Sequence, residues 1–184
     1  MDRTLSIILT AINASLYTVV GCLTYFGIVV FGVRFWPAVV VPAVFSVLFG
    51  PLIGGIGAAI GIFISDMLSH GIPLLSLSVG VTSNFTAFYI LGRLTRKYSH
   101  RRYLAAATFS LTVGSAVIGV GVWAWSQYFI LPGASKLSPL PLTAAWSTFA
   151  WTYTLIFQLL LIPLIIEAER RYAASMFGGS KQFF

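Results

Sequence analysis

Charged residues are scarce in this chain, and their scarcity excludes a water-soluble protein. Only 8% of the 184 residues are charged, and four in all are acidic. A soluble domain carries roughly 25% charged residues, so this composition leaves too little charge to keep a folded surface in water. The apolar fraction is 58%, and the mean hydropathy is +0.94. The chain is therefore predicted to be an integral, multi-pass protein of the cell membrane.

Cysteine and the common catalytic motifs are also lacking. Cys22 is the single cysteine, so an intramolecular disulfide is impossible. The sequence contains no GxxxxGK[ST] phosphate-binding loop, no HExxH or Cys/His metal spacing, and no GxSxG motif. We therefore expect no ATP-hydrolysing domain, no bound metal, no cofactor and no enzymatic activity.

Long apolar runs are what the chain has instead. A transmembrane helix needs about 20 mostly apolar residues, and the runs predict six spans in one transmembrane domain that covers residues 1–184. The expected spans are 5–31, 35–49, 51–66, 72–92, 103–130 and 142–166. The predicted fold class is therefore an all-α membrane bundle.

The apolar stretch 37–65 has two interpretations. As one helix it would be about 43 Å long, which exceeds a hydrocarbon core of about 30 Å, and the fold would then have five spans. Gly50-Pro51 in its middle is a turn signal, because the residue before proline avoids the helical region. This signal favours a hairpin of two spans, and six spans in total.

The positive charges indicate which side of the membrane is cytoplasmic, because Lys and Arg stay inside. In the six-span interpretation the residues inside are Arg3, Arg93, Arg96, Lys97, Arg101, Arg102, Arg170, Arg171 and Lys181, against Arg34 and Lys136 outside. A five-span protein gives the same balance, since Arg3 and Arg34 exchange sides. Topology thus explains the net charge of +7. We expect anionic membrane lipid at the 93–102 segment, and no nucleic-acid partner.

Two sets of small residues predict close approach of helices. One set shares a face of the span that follows Gly50, and consists of Gly50, Gly54, Ala58, Gly61 and Ser65. Internal packing is a sufficient explanation for it. In the first span, Ala11 and Ser15 form a second small surface with Ala14 beside them. This surface is a candidate docking site for another subunit, and packing within the chain is the alternative.

Polar and aromatic residues gather in the predicted outer half of the bundle. In hydrocarbon, polar side chains need partners and face inward, so these residues predict a pocket that opens outward and suits a flat heterocyclic ligand. The outer loops add Arg34, Asp66 and His70, and the complete candidate set is Arg34, Asp66, His70, Asn84, Trp123, Gln127, Tyr128, Trp146, Trp151 and Tyr153. The alternatives are an interfacial aromatic belt, headgroup contact by Arg34, a helix cap formed by Asp66 and His70, and a bridge between helices formed by Asn84.

The segment from Arg34 to Asp66 resembles the substrate-binding S components of energy-coupling factor (ECF) transporters. Its most specific parts are Phe49-Gly50-Pro51 with the following Gly54, and the terminal Ser65-Asp66. The resemblance implies six spans with both termini in the cytoplasm, in a prokaryotic plasma membrane. It also favours the hairpin at Gly50 over the single long helix.

The resemblance also implies a function. S components bind a vitamin or a related micronutrient from outside with high affinity. They then dock onto a transmembrane coupling subunit that two cytoplasmic ATPases drive, through an AxxxA motif in the first span. Here Ala11 matches the first position of that motif, and Ser15 replaces its last alanine.

Two loops and two alternative functions complete the predictions. The segments 67–75 and 131–141 mix Gly, Pro and Ser, which suits lids that close over a ligand. A small membrane enzyme that uses Asp66 and His70 is one alternative function. An assembly subunit that binds no ligand is the other.

Overall fold

The computed structural model describes residues 2–24, 29–30, 33–34, 36–129, 156 and 158–171. Its helices are α1 (Arg3–Thr24), α2 (Val40–Phe49), α3 (Pro51–Ser69), α4 (Pro73–Leu94), α5 (His100–Tyr128) and α6 (residues 158–171). A 3₁₀ turn, Pro37–Val39, precedes α2, and Val29–Val30 (β1) pairs with Val33–Arg34 (β2). Within α4, Ser76–Val81 form a π-helical turn.

Four of these helices are long and apolar enough to cross a membrane, namely α1, α3, α4 and α5, and Pro37–Phe49 is a shorter apolar helix. Aliphatic side chains on their outer faces are exposed, such as Leu23 and Leu68. Apolar surface on this scale is unfavourable in water, whereas in a bilayer it contacts acyl chains. The prediction of a helical, multi-pass membrane protein is therefore confirmed.

Helix α1 is shorter than the predicted span 5–31. The predicted C-terminal end of this span is therefore wrong. The helix ends at Thr24 after 22 residues, or about 33 Å, which already matches the hydrocarbon core. Val29 then pairs with Arg34, and Val30 with Val33, in an antiparallel ribbon. Valine is β-branched and favours extended backbone, and hydropathy alone does not separate such a strand from a helix.

The stretch 37–65 divides at Gly50, the position of the predicted hairpin. Gly50 has φ +100°, a conformation that glycine adopts at little cost, and its N–H donates to the Ser46 carbonyl at 3.1 Å. Pro51 is the first residue of α3, where its missing N–H removes no helical hydrogen bond. The Gly-Pro pair therefore forms the turn between α2 and α3.

Helices α1 and α3 run parallel and pack closely. Asn13 Nδ2 donates to the Ile53 carbonyl at 3.0 Å, and Thr18 Oγ1 donates to the Gly61 carbonyl at 3.0 Å. Gly57 lies against Asn13, because a Cβ at position 57 would come within 2.2 Å of Asn13 Nδ2. The small residues of α3 thus serve packing within the chain.

Helices α4, α5 and α6 complete the bundle in antiparallel order. Gly92, near the end of α4, packs on Pro51 at the start of α3. The Tyr103 hydroxyl, near the start of α5, donates to the Gln158 carbonyl of α6 at 2.5 Å. The apolar core between the helices includes Tyr17, Phe88, Leu91, Tyr103, Ile162 and Ile166.

These contacts bring most of the described basic residues to one end of the bundle, here named the basic end. They are Arg3, Arg93, Arg96, Lys97, Arg101, Arg102, Arg170 and Arg171. There the Arg170 guanidinium lies 4.7 Å from the centroid of the Tyr98 ring. Burial raises the pKa of the Tyr98 phenol, while the Arg170 charge acts in the opposite direction. The other end is named the Trp36 end, because Trp36 packs there on Gly21 near the end of α1.

Helix α5 begins before the predicted span 103–130, at His100. Ser99 caps this helix, since its Oγ accepts a hydrogen bond from the Arg102 N–H at 3.3 Å. A serine at the N-cap satisfies one of the free N–H groups of the first turn. Part of the basic 93–102 segment is therefore helical.

We predict that Gly54→Ala destabilises the protein. A Cβ at position 54 would lie 2.6 Å from Ser46 Cα, so α2 and α3 would have to separate. We expect a loss of about 1–3 kcal/mol in the free energy of unfolding, seen as a lower midpoint of thermal unfolding by circular dichroism in detergent. The control is Ile56→Val on the exposed side of α3. Equal losses in the two variants would contradict the role of close packing.

Candidate functional site

Asp66 lies inside α3, near the Trp36 end, and not in the predicted outer loop. Its side chain is buried, with 5% of the residue exposed. Ser76 Oγ donates to Asp66 Oδ2 at 2.7 Å, and His70 Nε2 lies 3.6 Å from Oδ1. A buried carboxylate is tolerated in a helix when neighbouring groups supply hydrogen bonds, and here Ser76 of α4 supplies one.

The predicted lid at 67–75 is mostly helical, and the prediction is wrong in this respect. Helix α3 continues to Ser69 and α4 begins at Pro73, so residues 70–72 alone connect them. The N–H groups of His70 and Gly71 both donate to the Asp66 carbonyl, at 2.9 and 3.1 Å. Pro73 starts a helix here instead of interrupting a loop, as proline does at a first helical position.

The π-helical turn of α4 lies directly over Asp66. Such turns are uncommon and are found frequently at functional sites. Gly80 approaches the carboxylate so closely that a Cβ would lie 2.6 Å from Asp66 Oδ2. The side chain of Asn84 donates from Nδ2 to the Gly80 carbonyl at 2.9 Å. Asp66 and Asn84 therefore hold this turn from two sides.

Asn84 also connects α4 to α1. The Tyr17 hydroxyl donates to Asn84 Oδ1 at 2.8 Å, and both side chains are buried. The Tyr17 ring makes edge-on contacts with Trp36 and with Phe88, each with centroids 6.4 Å apart. The sequence predicts Asn84 as a site residue, and the structure gives it this bridging position.

Two tryptophans of α5 differ in their surroundings. Trp123 Nε1 is buried and has no hydrogen-bond partner within the described residues. Trp125 Nε1 donates to Ser78 Oγ at 2.8 Å on an exposed surface. Gln127 Nε2 donates to Ser126 Oγ at 3.1 Å. Of the two indoles, that of Trp123 is the one with its donor left for a bound molecule.

Tyr128 does not face inward, so the structure corrects its prediction as a pocket residue. It is the last residue of α5 and is 83% exposed. Five positions along a helix place its side chain about 140° around the axis from that of Trp123. Its surroundings fit the aromatic belt at a membrane surface.

Other buried polar atoms lack hydrogen-bond partners within the described part of the chain. They are Ser65 Oγ, Asn13 Oδ1 and both amide atoms of Gln158, and all three residues are 0% exposed. A buried polar atom of this kind is stabilised when a water or a ligand supplies the missing bond. Ser65 lies beside Asp66 toward the Trp36 end, whereas Gln158 is in contact with Tyr103 nearer the basic end.

Several predicted site residues lie outside the described residues. They are Trp146, Trp151, Tyr153 and the loop 131–141. The structure describes Arg34 only as backbone of β2. Among the described His, Cys, Asp and Glu residues, no group of three is placed to hold a metal ion.

The predicted docking surface is divided by the structure. Ala11 and Ser15 are exposed on α1, while Ala14 is 4% exposed and packs against α3. A Cβ at Gly61 would lie 2.8 Å from the Ala14 carbonyl oxygen. Ala14 is therefore corrected from a docking residue to a packing residue, because it lies on the inward side of the helix.

Tyr17 and Ser76, which hold Asn84 and Asp66 in place, were not among the residues predicted from the sequence. A signal for Tyr17 was present in the first span. Asn13 and Tyr17 are four residues apart, so they share one helix face, and polar groups in a spanning helix mark its inward side.

We predict that Asp66→Ala loosens the connection between α3 and α4. The substitution removes the acceptor of the Ser76 hydroxyl, and a buried donor left without its partner costs about 1–3 kcal/mol. Hydrogen-exchange mass spectrometry should show faster exchange over residues 70–76. The control is Ser69→Ala, which removes a hydroxyl that donates to Ser65 of the same helix. Exchange no faster than in this control would contradict the assignment.

Comparison with known proteins gives one family. No curated protein and no solved structure gave a match. The model of the family described as ECF-type riboflavin transporter, S component, matches residues 1–171. The match spans nearly the whole chain and confirms the resemblance to ECF S components. The chain therefore belongs to the family of ECF-type riboflavin transporter S components.

Proposed function

We propose that this protein is the riboflavin-binding subunit of an ECF-type importer in a prokaryotic plasma membrane. The observation that carries the proposal is the family match over residues 1–171, which extends through α1 to α6. The family is one of transport subunits and not one of enzymes. Riboflavin is a flat heterocycle, the class of ligand that the polar and aromatic residues of the sequence predict.

Hydrogen-bond donors without partners in the described residues lie near the Trp36 end, and they support the proposal that a ligand binds there. The flavin ring carries carbonyl and N–H groups along one edge and apolar faces on either side. Trp123 Nε1 is a buried donor without a partner among the described residues, and Ser65 Oγ is another. A ligand acceptor that fills such a group gains a hydrogen bond without displacing an existing one. The remaining proposed lining residues are Arg34, Asp66, His70, Asn84, Gln127, Trp146, Trp151 and Tyr153.

The orientation that we propose places the basic end in the cytoplasm. Lys and Arg concentrate on that side of membrane proteins, and Arg93 to Arg102 lie at the basic end together with Arg170 and Arg171. The start of α1 and the end of α6 are then inside, and the Trp36 end faces outward. With α2 and α6 also crossing, the protein has six spans.

Accumulation of a ligand needs energy that we propose comes from partners. The sequence has no phosphate-binding loop of its own. A coupling subunit and two cytoplasmic ATPases would supply the ATP-driven step, and the exposed Ala11 and Ser15 of α1 would receive the coupling subunit. Small residues permit the close helix approach that such a contact in lipid requires.

We predict that the purified protein binds riboflavin and quenches its fluorescence. Trp123→Phe keeps an aromatic ring and removes the unpartnered indole N–H. The Kd should therefore rise about 2- to 10-fold, which corresponds to the net free energy of one neutral hydrogen bond. The matched control is Trp125→Phe, which removes the same group where it already bonds to Ser78. Equal effects in the two variants would remove Trp123 from the ligand site.

The same preparation separates the alternative functions. Chromatography of the ligand after incubation should return riboflavin unchanged. A converted product that disappears with Asp66→Asn would favour the membrane enzyme. Failure to bind riboflavin or any other vitamin would favour the assembly subunit without a ligand.

We also predict that Ala11→Trp abolishes uptake without weakening riboflavin binding. A large side chain on the exposed face of α1 would block close approach by the coupling subunit while leaving the interior unchanged. The measurement is riboflavin uptake by cells that express the protein with its partners. The control is Leu23→Trp, at a 73% exposed position of the same helix. Full uptake by Ala11→Trp would contradict docking at this face.

A further inference from the structure

A continuous set of buried contacts, two of them hydrogen bonds, joins α1, α4 and α3 across the bundle. The Tyr17 hydroxyl donates to Asn84 Oδ1 at 2.8 Å, and Asn84 Nδ2 donates to the Gly80 carbonyl at 2.9 Å. Gly80 in turn contacts the Asp66 carboxylate. We name the first of these contacts the Tyr17–Asn84 bridge. In a membrane interior, polar side chains such as these are costly and commonly functional.

The π-helical turn, Ser76–Val81, is the part of this set whose hydrogen-bond register differs from that of the α-helix on either side. A π-helical turn closes hydrogen bonds one residue later than an α-helical turn. Conversion to α-helical geometry would rotate one side of the turn by about 100° relative to the other. Asn84 bonds to the Gly80 carbonyl within this turn, and Ser76 at its start bonds to Asp66. Any such change would therefore move the Gly80 carbonyl and the Asn84 side chain that bonds to it.

Tyr17 places α1 in direct contact with this turn. The Tyr17 ring makes edge-on contacts with Trp36 and Phe88, and the residue is 1% exposed. The exposed residues Ala11 and Ser15 lie about 120° and 160° around the same helix from Tyr17. The inward contact and the outward face thus belong to one continuous helix.

We propose that the Tyr17–Asn84 bridge couples ligand binding at the Trp36 end to the position of the exposed α1 face. This inference rests on the proposed function. Ligand binding shifts the Ser76–Val81 turn, Asn84 moves with the Gly80 carbonyl, and Tyr17 carries the shift into α1. Tyr17 acts as a positioning residue, because it does not have to touch the ligand for the coupling to operate, and Asn84 links it to the turn.

The coupling is measured with a nitroxide spin label on the exposed face of α1. The reference protein carries Cys22→Ala, which removes the single native cysteine, and Ser15→Cys, which receives the label. Electron paramagnetic resonance spectra are recorded in lipid nanodiscs with and without saturating riboflavin. Quenching of flavin fluorescence gives the Kd for the same preparations. The two readouts separate binding from coupling.

Two matched variants are compared with this reference. Tyr17→Phe removes the hydroxyl of the bridge and keeps the ring contacts. Thr18→Val removes the hydroxyl of the next residue, which donates to the Ala14 and Gly61 carbonyls and not to α4. We expect riboflavin to change the spectrum of the reference and of Thr18→Val, and Tyr17→Phe to lose most of that change. The Kd of Tyr17→Phe for riboflavin should change less than about threefold, which corresponds to the free energy of an average interhelical hydrogen bond in lipid.

Three results would overturn the coupling. They are a reference spectrum unchanged by bound riboflavin, a full change in Tyr17→Phe, and an equal loss in Thr18→Val. If Tyr17→Phe fails to fold, Asn84→Leu removes the same bridge from the other helix, and retention of the full change would be equally decisive. Failure of the reference to bind riboflavin at all would overturn the proposed function, and the coupling with it.

Discussion

The fold depends on the close packing of α1 against α3 in a medium that offers no water. Without water, the attraction between helices comes from van der Waals contact and from hydrogen bonds. Gly57 leaves room for the Asn13 side chain, and the Asn13 amide bonds to the Ile53 carbonyl near the start of α3. Larger residues on α3 would separate the two helices and leave those polar groups unsatisfied in hydrocarbon.

The same constraint shapes the Trp36 end. Buried Asp66 is held by Ser76, and Asn84 is held by Tyr17, so the polar groups that the bundle can satisfy are bonded across helices. Trp123 Nε1 and Ser65 Oγ have no such partner in the described residues. A protein that binds a polar heterocycle needs both features, because bonded groups keep the site rigid and unbonded groups remain for the ligand.

Some features of the fold and of the site were predictable, because they follow from local chemistry. The turn at Gly50-Pro51 depends on two residues whose backbone preferences are known from sequence alone. Asn84 is a polar residue in an apolar span, which predicts an inward position. The buried, hydrogen-bonded state of Asp66 and the outward position of Tyr128 were not predictable in this way. The first depends on a hydroxyl supplied by the next helix, and the second depends on which side of α5 the neighbouring helices cover.

The sequence by itself determined that the protein lies in a membrane, where one of its turns falls, and to which family it belongs. Those properties reside in composition, in single residues such as Pro51, and in the order of the chain. Only the tertiary structure decided that Tyr17 meets Asn84, that Ala14 packs inward while Ala11 and Ser15 stay exposed, and that α1 ends at Thr24. These outcomes depend on contacts between segments far apart in sequence, and in a uniformly apolar chain hydropathy does not distinguish a face that contacts protein from one that contacts lipid.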